Sequence, residues 1–166
     1  MAAGKTTIGR MLADELGLAF KDTDKEIERR TGADIPWIFD MEGEEGFRER
    51  ERQVLSELTT ESGILLATGG GSVELEENRR NLRSRGVVVF LDTSVELQLD
   101  RTRKDKNRPL LRTDDREKVL NELKSKRDPL YNEIADVRVF TGESGSRKMV
   151  SVILQSLRNE GYPVVL

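Results

Sequence analysis

Gly4-Lys5-Thr6-Thr7 has the make-up of the end of a phosphate-binding loop. Such a loop offers a glycine turn whose backbone N–H groups face phosphate oxygens, a lysine that reaches the terminal phosphates, and a hydroxyl that holds magnesium. Gly4, Lys5 and Thr6 fill the last three positions of G-x-x-x-x-G-K-[ST]; the first glycine of the pattern falls ahead of Met1. Asp22 and Asp24 stand two residues apart at the end of an expected strand, where an extended backbone would point both carboxylates to one side. Such a pair can divide the work of phosphoryl transfer, one holding magnesium through its water shell and the other orienting the attacking hydroxyl. The plainer alternative is that Asp24 or Thr23 caps the following helix.

Thr68-Gly69-Gly70-Gly71 follows an apolar run, and ligands of open α/β sheets bind beyond the carboxyl ends of strands. Three successive glycines give a ligand unobstructed access to backbone N–H groups; a flexible turn is the alternative. Arg48 lies in a stretch, Glu44 to Arg52, so charged that most of it must be a solvated face with i,i+4 pairs. By composition it cannot be told from Arg50 and Arg52. Arg127, ahead of Asp128-Pro129, reads as a cation at a helix C-terminus. Arg101, Arg103, Lys104, Lys106, Arg108 and Arg112 crowd one segment stiffened by Pro109. With no interleaved aromatics for base stacking, a mobile lid carrying positive charge to triphosphate oxygens is the economical reading.

The elements that must hold these groups follow from periodicity. Ile8, Met11, Leu12 and Leu16 share a helical face after Lys5, and Gly17 ends that helix. An extended stretch, 18–22, leads into a helix through about Arg30, with Thr23 and Glu26 spaced as a capping box. Ile35–Met41 and Glu44–Leu58 read as two helices inserted between strands. The apolar runs 63–68 and 86–92 are expected to be strands buried on both faces, flanking a helix around Glu76–Arg83. A helix capped at Thr93-Ser94-Val95-Glu96, with Val95, Leu97 and Leu99 turned inward, precedes the basic segment. A helix from Glu117 to Arg127, a strand at Val137–Phe140 and a helix from Arg147 to Arg158 follow. Alternating strands and helices predict an α/β fold with right-handed crossovers.

The 166 residues suit a single domain. Neither a bilayer-length apolar run nor a charged-then-apolar leader is present, so a cytoplasmic protein is expected. With no cysteine and no histidine, disulfides, thiolate zinc sites and imidazole bases are excluded, and acid–base chemistry falls to carboxylates, lysine or tyrosine. A net charge of −3 with mixed signs argues against a nucleic-acid partner.

Taken in order, Gly4 to Arg10, Asp22-Thr23-Asp24, Gly43-Glu44 to Phe47-Arg48, Thr68 to Gly71, Arg108-Pro109-Leu110-Leu111 and Arg127-Asp128-Pro129-Leu130-Tyr131 closely resemble the shikimate kinase family over essentially the whole chain. The resemblance implies a three-layer P-loop kinase fold with a five-stranded parallel sheet flanked by helices. It implies transfer of the γ-phosphoryl group of ATP to the 3-hydroxyl of shikimate, with Mg²⁺, by a monomer. It further implies a substrate-binding helical region over about 23–58 and a lid over about 103–114. Carried over by position, Gly4, Lys5, Thr6 and Thr7 bind the nucleotide, Thr6 and Asp22 hold magnesium, and Asp24 binds and activates the acceptor hydroxyl. Arg48 and Arg127 match arginines that grip the substrate carboxylate, Gly69, Gly70 and Gly71 contact its ring hydroxyls, and Glu51 steadies Arg48. Arg108 matches the lid arginine on the phosphates and Arg101 one that stacks on adenine, near a loop at 141–146.

In that family the first strand lies centrally in the sheet and feeds the phosphate loop. The resemblance places it ahead of Met1, so a shortened chain with an interrupted sheet and low stability or activity is expected. Two other readings stand beside the kinase: a shikimate-binding module without turnover, and another small-molecule kinase such as one for gluconate.

Overall fold

The computed structural model describes residues 3–164; Met1 and Ala2 of the phosphate-loop signature lie outside them. Helix α1 (Lys5–Leu16) ends where expected. Gly17 takes φ 65°, and the N–H groups of Gly17 and Leu18 return to the carbonyls of Asp14 and Ala13, the left-handed close that glycine permits without a Cβ clash. Strand β1 (Ala19–Asp22) and helix α2 (Thr23–Thr31) follow. The expected capping box at Thr23 is not what starts α2. The Asp22 carboxylate accepts from the N–H groups of Asp24 and Lys25 at 2.9 and 3.2 Å, which frees the Thr23 hydroxyl for another partner. Helix α3 (Ile35–Leu58) is two helices in effect, broken at Gly43, which has φ 71° and ψ 178°.

Strand β2 (Ile64–Ala67) runs into a 3₁₀ turn (Gly70–Glu74), then α4 (Glu76–Arg85), β3 (Val89–Asp92) and α5 (Val95–Thr102). In α5 the buried residues are Gln98 and Thr102, whereas Val95, Leu97 and Leu99 are only half-buried. The Thr102 hydroxyl donates to the backbone carbonyl of Gln98 one turn back at 2.7 Å, which lets a threonine sit buried on that face. A short turn (Pro109–Leu111) precedes α6 (Arg116–Ile134), β4 (Val137–Phe140) and α7 (Ser146–Asn159). Helix α6 runs straight through Pro129 and seven residues past the expected end at Arg127. Arg127 is therefore an interior, buried residue and not a cation at a helix terminus.

The four strands among the described residues form two parallel pairs. β1 pairs with β2, Ala19 opposite Ile64 through Asp22 opposite Ala67, and β3 pairs with β4, Val89 opposite Val137 through Asp92 opposite Phe140. No ladder joins β2 to β3 among the described residues. An apolar cavity of about 530 Å³ is bounded by β2 and β3 and by α1 and α7, with Ile8, Leu65, Phe90 and Ile153 in its walls. This explains a departure from expectation: Ile64, Leu65 and Leu66 in β2 and Val89 and Leu91 in β3 are half-buried, not enclosed on both faces.

Around the cavity the core falls into two clusters. Ile8 and Leu12 of α1 pack with Val137 and Val139 of β4 and with Met149, Ile153 and Leu157 of α7. Ile27, Ile38, Phe47, Val54 and Leu58 join α2 to α3. Among the described residues no helix is long and apolar enough to cross a membrane.

Candidate active site

Candidate side chains gather at the carboxyl ends of β1 and β2 and the start of α1. Gly4 stands at the N-cap of α1 with φ 82°, a left-handed conformation with no side-chain cap, so the first N–H groups of this helix face outward as they must to meet an anion. Lys5, half-buried, opens the helix, and Thr6 and Thr7 are exposed in its first turn. Burial pulls the Lys5 ammonium below its usual range; the charge of Asp24 opposes this most strongly, and that of Arg108 adds to it. Arg108 is thus close enough for its charge to be felt at Lys5.

Asp22 and Asp24 are not side by side on a strand. Asp22 ends β1, and its Oδ1 holds the start of α2; Asp24 sits in the first turn of that helix. Asp24 Oδ1 is buried without a hydrogen-bond partner. Burial raises its carboxyl to about 6, against the opposing pull of Lys5 and with smaller contributions from Asp22 and Glu51 in the same direction. A carboxylate that is desolvated, beside a cation and lacking a donor is a ready acceptor for a substrate hydroxyl.

The triple glycine is placed against this group, with one of its three N–H groups already engaged and close packing around it. The Gly69 N–H is already given to the Thr23 hydroxyl at 3.2 Å, and the Gly70 carbonyl accepts from the Tyr131 hydroxyl. What the glycines supply is room. A Cβ on Gly69 would stand 2.9 Å from Glu51 Oε2 and 3.2 Å from Asp24 Oδ1, and one on Gly71 would stand 2.2 Å from Arg48 Nη2. Alanine at 71 would collide with the guanidinium.

Arg48 donates from Nη1 to Glu51 at 2.9 Å and from Nη2 to Glu44 at 3.3 Å. Glu51 is fully buried, so Arg48 is anchored from below, unlike Arg50 and Arg52, which pair with Glu42 and Glu49 on the exposed face. Arg127, 3 % exposed, donates from Nε to Glu74 Oε1 at 3.0 Å, and Arg48 Nε lies 4.0 Å from Glu74 Oε2. Two guanidiniums from different helices, Arg127 buried and Arg48 half-buried, therefore flank one carboxylate. Tyr131 stacks on Phe90 with ring centroids 4.7 Å apart, and burial pushes its phenol up to about 12.

Arg108 lies in the segment between α5 and α6 and donates to Asp105 at 2.7 Å; Arg112 pairs with Asp40 at 2.8 Å. Arg101 is exposed on α5 and donates to the Gly142 carbonyl at 3.2 Å, which brings it to the 141–146 loop. Sequence reasoning missed the hydroxyl of Thr23 and the carboxylate of Glu74. Nothing separates Glu74 from Glu76 and Glu77 in the chain, whereas Thr23 was readable only as a cap.

A family model described as shikimate kinase matches residues 1–158. The shikimate kinase of Pseudomonas syringae pv. tomato is 60% identical over 157 residues, spanning 95% of this chain and 91% of that protein. That of Shewanella sediminis is 55% identical over 157 residues, spanning 95% and 92%. Among solved structures, shikimate kinase from Acinetobacter baumannii in complex with shikimate superposes with a TM-score of 0.95 at 52% identity, covering 98% of this chain and 91% of that one. The enzyme from Aquifex aeolicus gives 0.82 at 37%, covering 96% and 92%.

Proposed function

This chain belongs to the shikimate kinase family, and we propose on that footing that it transfers the γ-phosphoryl group of ATP to the 3-hydroxyl of shikimate. The observation that carries the reading is the pair Arg48 and Arg127 closing on a single carboxylate beside the unpartnered oxygen of Asp24. A planar guanidinium fork suits a carboxylate and keeps its charge when a lid closes over it. The hydroxyl to be phosphorylated then meets Asp24, which orients it and takes its proton. Lys5 and the outward N–H groups of α1 hold the phosphates, and Arg108 brings a further charge from the lid. Phosphoryl transfer needs positioning and electrostatic stabilisation more than a strong base, so one aspartate is sufficient in a chain without histidine.

The Thr6 hydroxyl and the Asp22 carboxylate are the groups that would hold Mg²⁺. Hard oxygen donors, few in number, suit a cation that keeps most of its water, and Asp22 spends only Oδ1 on its cap. When bound, the cation supplies charge neutralisation at the phosphate oxygens. Residues 23–58 serve as the acceptor-binding region and 103–114 as the lid of a monomeric, cytoplasmic enzyme that acts on a small molecule and not on nucleic acid. Gly4 and Thr7 complete the phosphate loop, Gly69, Gly70 and Gly71 floor the acceptor site, and Arg101 flanks the adenine.

Arg127→Ala tests this reading. With shikimate as acceptor its KM is expected to rise about 10²-fold, the scale of a lost bidentate charge pair, with the KM for ATP unchanged. An unaltered shikimate KM would refute the two-arginine grip.

A further inference from the structure

Glu74 has no part in the reaction as set out above, yet its carboxylate lies between the two arginines assigned to the substrate. Oε1 accepts from Arg127 Nε at 3.0 Å and lies 3.3 Å from Lys126 Nζ, and Oε2 stands 4.0 Å from Arg48 Nε. We propose that Glu74 is an internal competitor: in the free protein it occupies the seat between Arg48 and Arg127 that the acceptor's carboxylate takes, and so sets the affinity for that acceptor. The inference rests on the reading of these arginines as the carboxylate grip.

Three features support it. Arg127 is 3 % exposed, and a buried cation without a counter-charge is costly, so the empty site needs an anion and Glu74 supplies one. The fit is incomplete, however. Arg48 Nε is buried with no hydrogen-bond partner, and 4.0 Å is too long for Glu74 to satisfy it. A free carboxylate seated between the two guanidiniums has no backbone tether and can satisfy both. Finally, Glu74 has somewhere to go. It ends the short turn that begins at Gly70, is 15 % exposed, and already touches Lys126, which is 64 % exposed and can keep the carboxylate once Arg127 is given up.

Competition of this kind has a signature that a merely structural ion pair lacks. Glu74→Gln is expected to lower the KM for shikimate by about three- to tenfold, the scale of one displaced charge pair, with kcat and the KM for ATP unchanged. The variant should melt lower than the parent without shikimate and gain more from adding it. Lys126→Ala, on an exposed side chain, removes the alternative partner of Glu74 and should raise the shikimate KM with no loss of kcat. A shikimate KM that stays level or rises in Glu74→Gln overturns the proposal, as does a level or lowered one in Lys126→Ala. If Arg127→Ala raises the shikimate KM while Glu74→Gln leaves it level, the competitor role falls and the grip stands. If Arg127→Ala leaves KM untouched, both fall.

Discussion

Asp24→Asn is expected to lower kcat by about 10²- to 10⁴-fold, the range for a lost proton acceptor, and at the same time to give a protein that melts higher than the parent at pH 8 without nucleotide or metal. Both effects have one cause. Burial raises the Asp24 carboxyl from 3.8 to about 6, with Lys5 opposing and Asp22 and Glu51 adding, so the ionised form is held in the fold at a cost. A carboxyl raised on folding contributes stability that is complete below its unfolded value and is lost as pH climbs through the folded one. The displacement from 3.8 to about 6 corresponds to at most about 3 kcal/mol. At about 2–4 °C per kcal/mol for a chain of this size, the melting temperature should rise by several degrees. Calorimetry from pH 4 to 8 should show the difference between variant and parent growing between about pH 4 and 6 and level above 7. A variant that melts lower at pH 8, or that keeps its kcat, contradicts this account of Asp24.

Extending the chain ahead of Met1 by an apolar strand ending in Gly-Pro is expected to raise its melting temperature by about 10–20 °C. The facing edges of β2 and β3 have no ladder partner among the described residues, and the apolar cavity of about 530 Å³ lies between them. The walls of that cavity reach Lys5 and Gly69, so an inserted strand would run toward the phosphate site, parallel to its neighbours, and would bring a glycine to the first position of the loop signature. Each ladder hydrogen bond contributes about 0.5–1.5 kcal/mol net, and burial of the new side chains adds about 1.5–3 kcal/mol apiece. Ordering a residue costs roughly 1–2 kcal/mol for its backbone. The balance over a strand matching four-residue neighbours is on the order of 5 kcal/mol, which the size scaling converts to the stated shift. A lower KM for ATP should accompany it. An unchanged or lowered melting temperature would mean that the cavity between the two sheets is not a strand's place.

Much of the fold was legible because the core is periodic. Ile8, Leu12 and Leu16 marked α1 and Gly17 its end, and the run 137–140 became β4 residue for residue. Failures came where tertiary contacts overrode a local signal. Asp128-Pro129 reads as a stop, since an interior proline loses a hydrogen bond and crowds a carbonyl at about 3 kcal/mol, but the buried Arg127 and Ile134, with the Tyr131 hydroxyl on Gly70, carry α6 past it. Asp22-Thr23-Asp24 reads locally as a cap at Thr23 or Asp24, whereas Asp22 does the capping and the Thr23 hydroxyl takes the N–H of Gly69, 46 residues away. The site was legible as an ordered set of motifs. The arrangement of Arg48, Arg127 and Glu74 was not, because it joins residues 26 and 53 positions apart through three different elements.

Shikimate-dependent formation of ADP by this chain, at saturating ATP and magnesium and beside gluconate and an acceptor-free control, tests the central claim most directly. The account predicts ADP formed in proportion to shikimate phosphorylated, with gluconate no better than the control. ADP formation driven by gluconate and not by shikimate, or shikimate binding without any turnover, would contradict it.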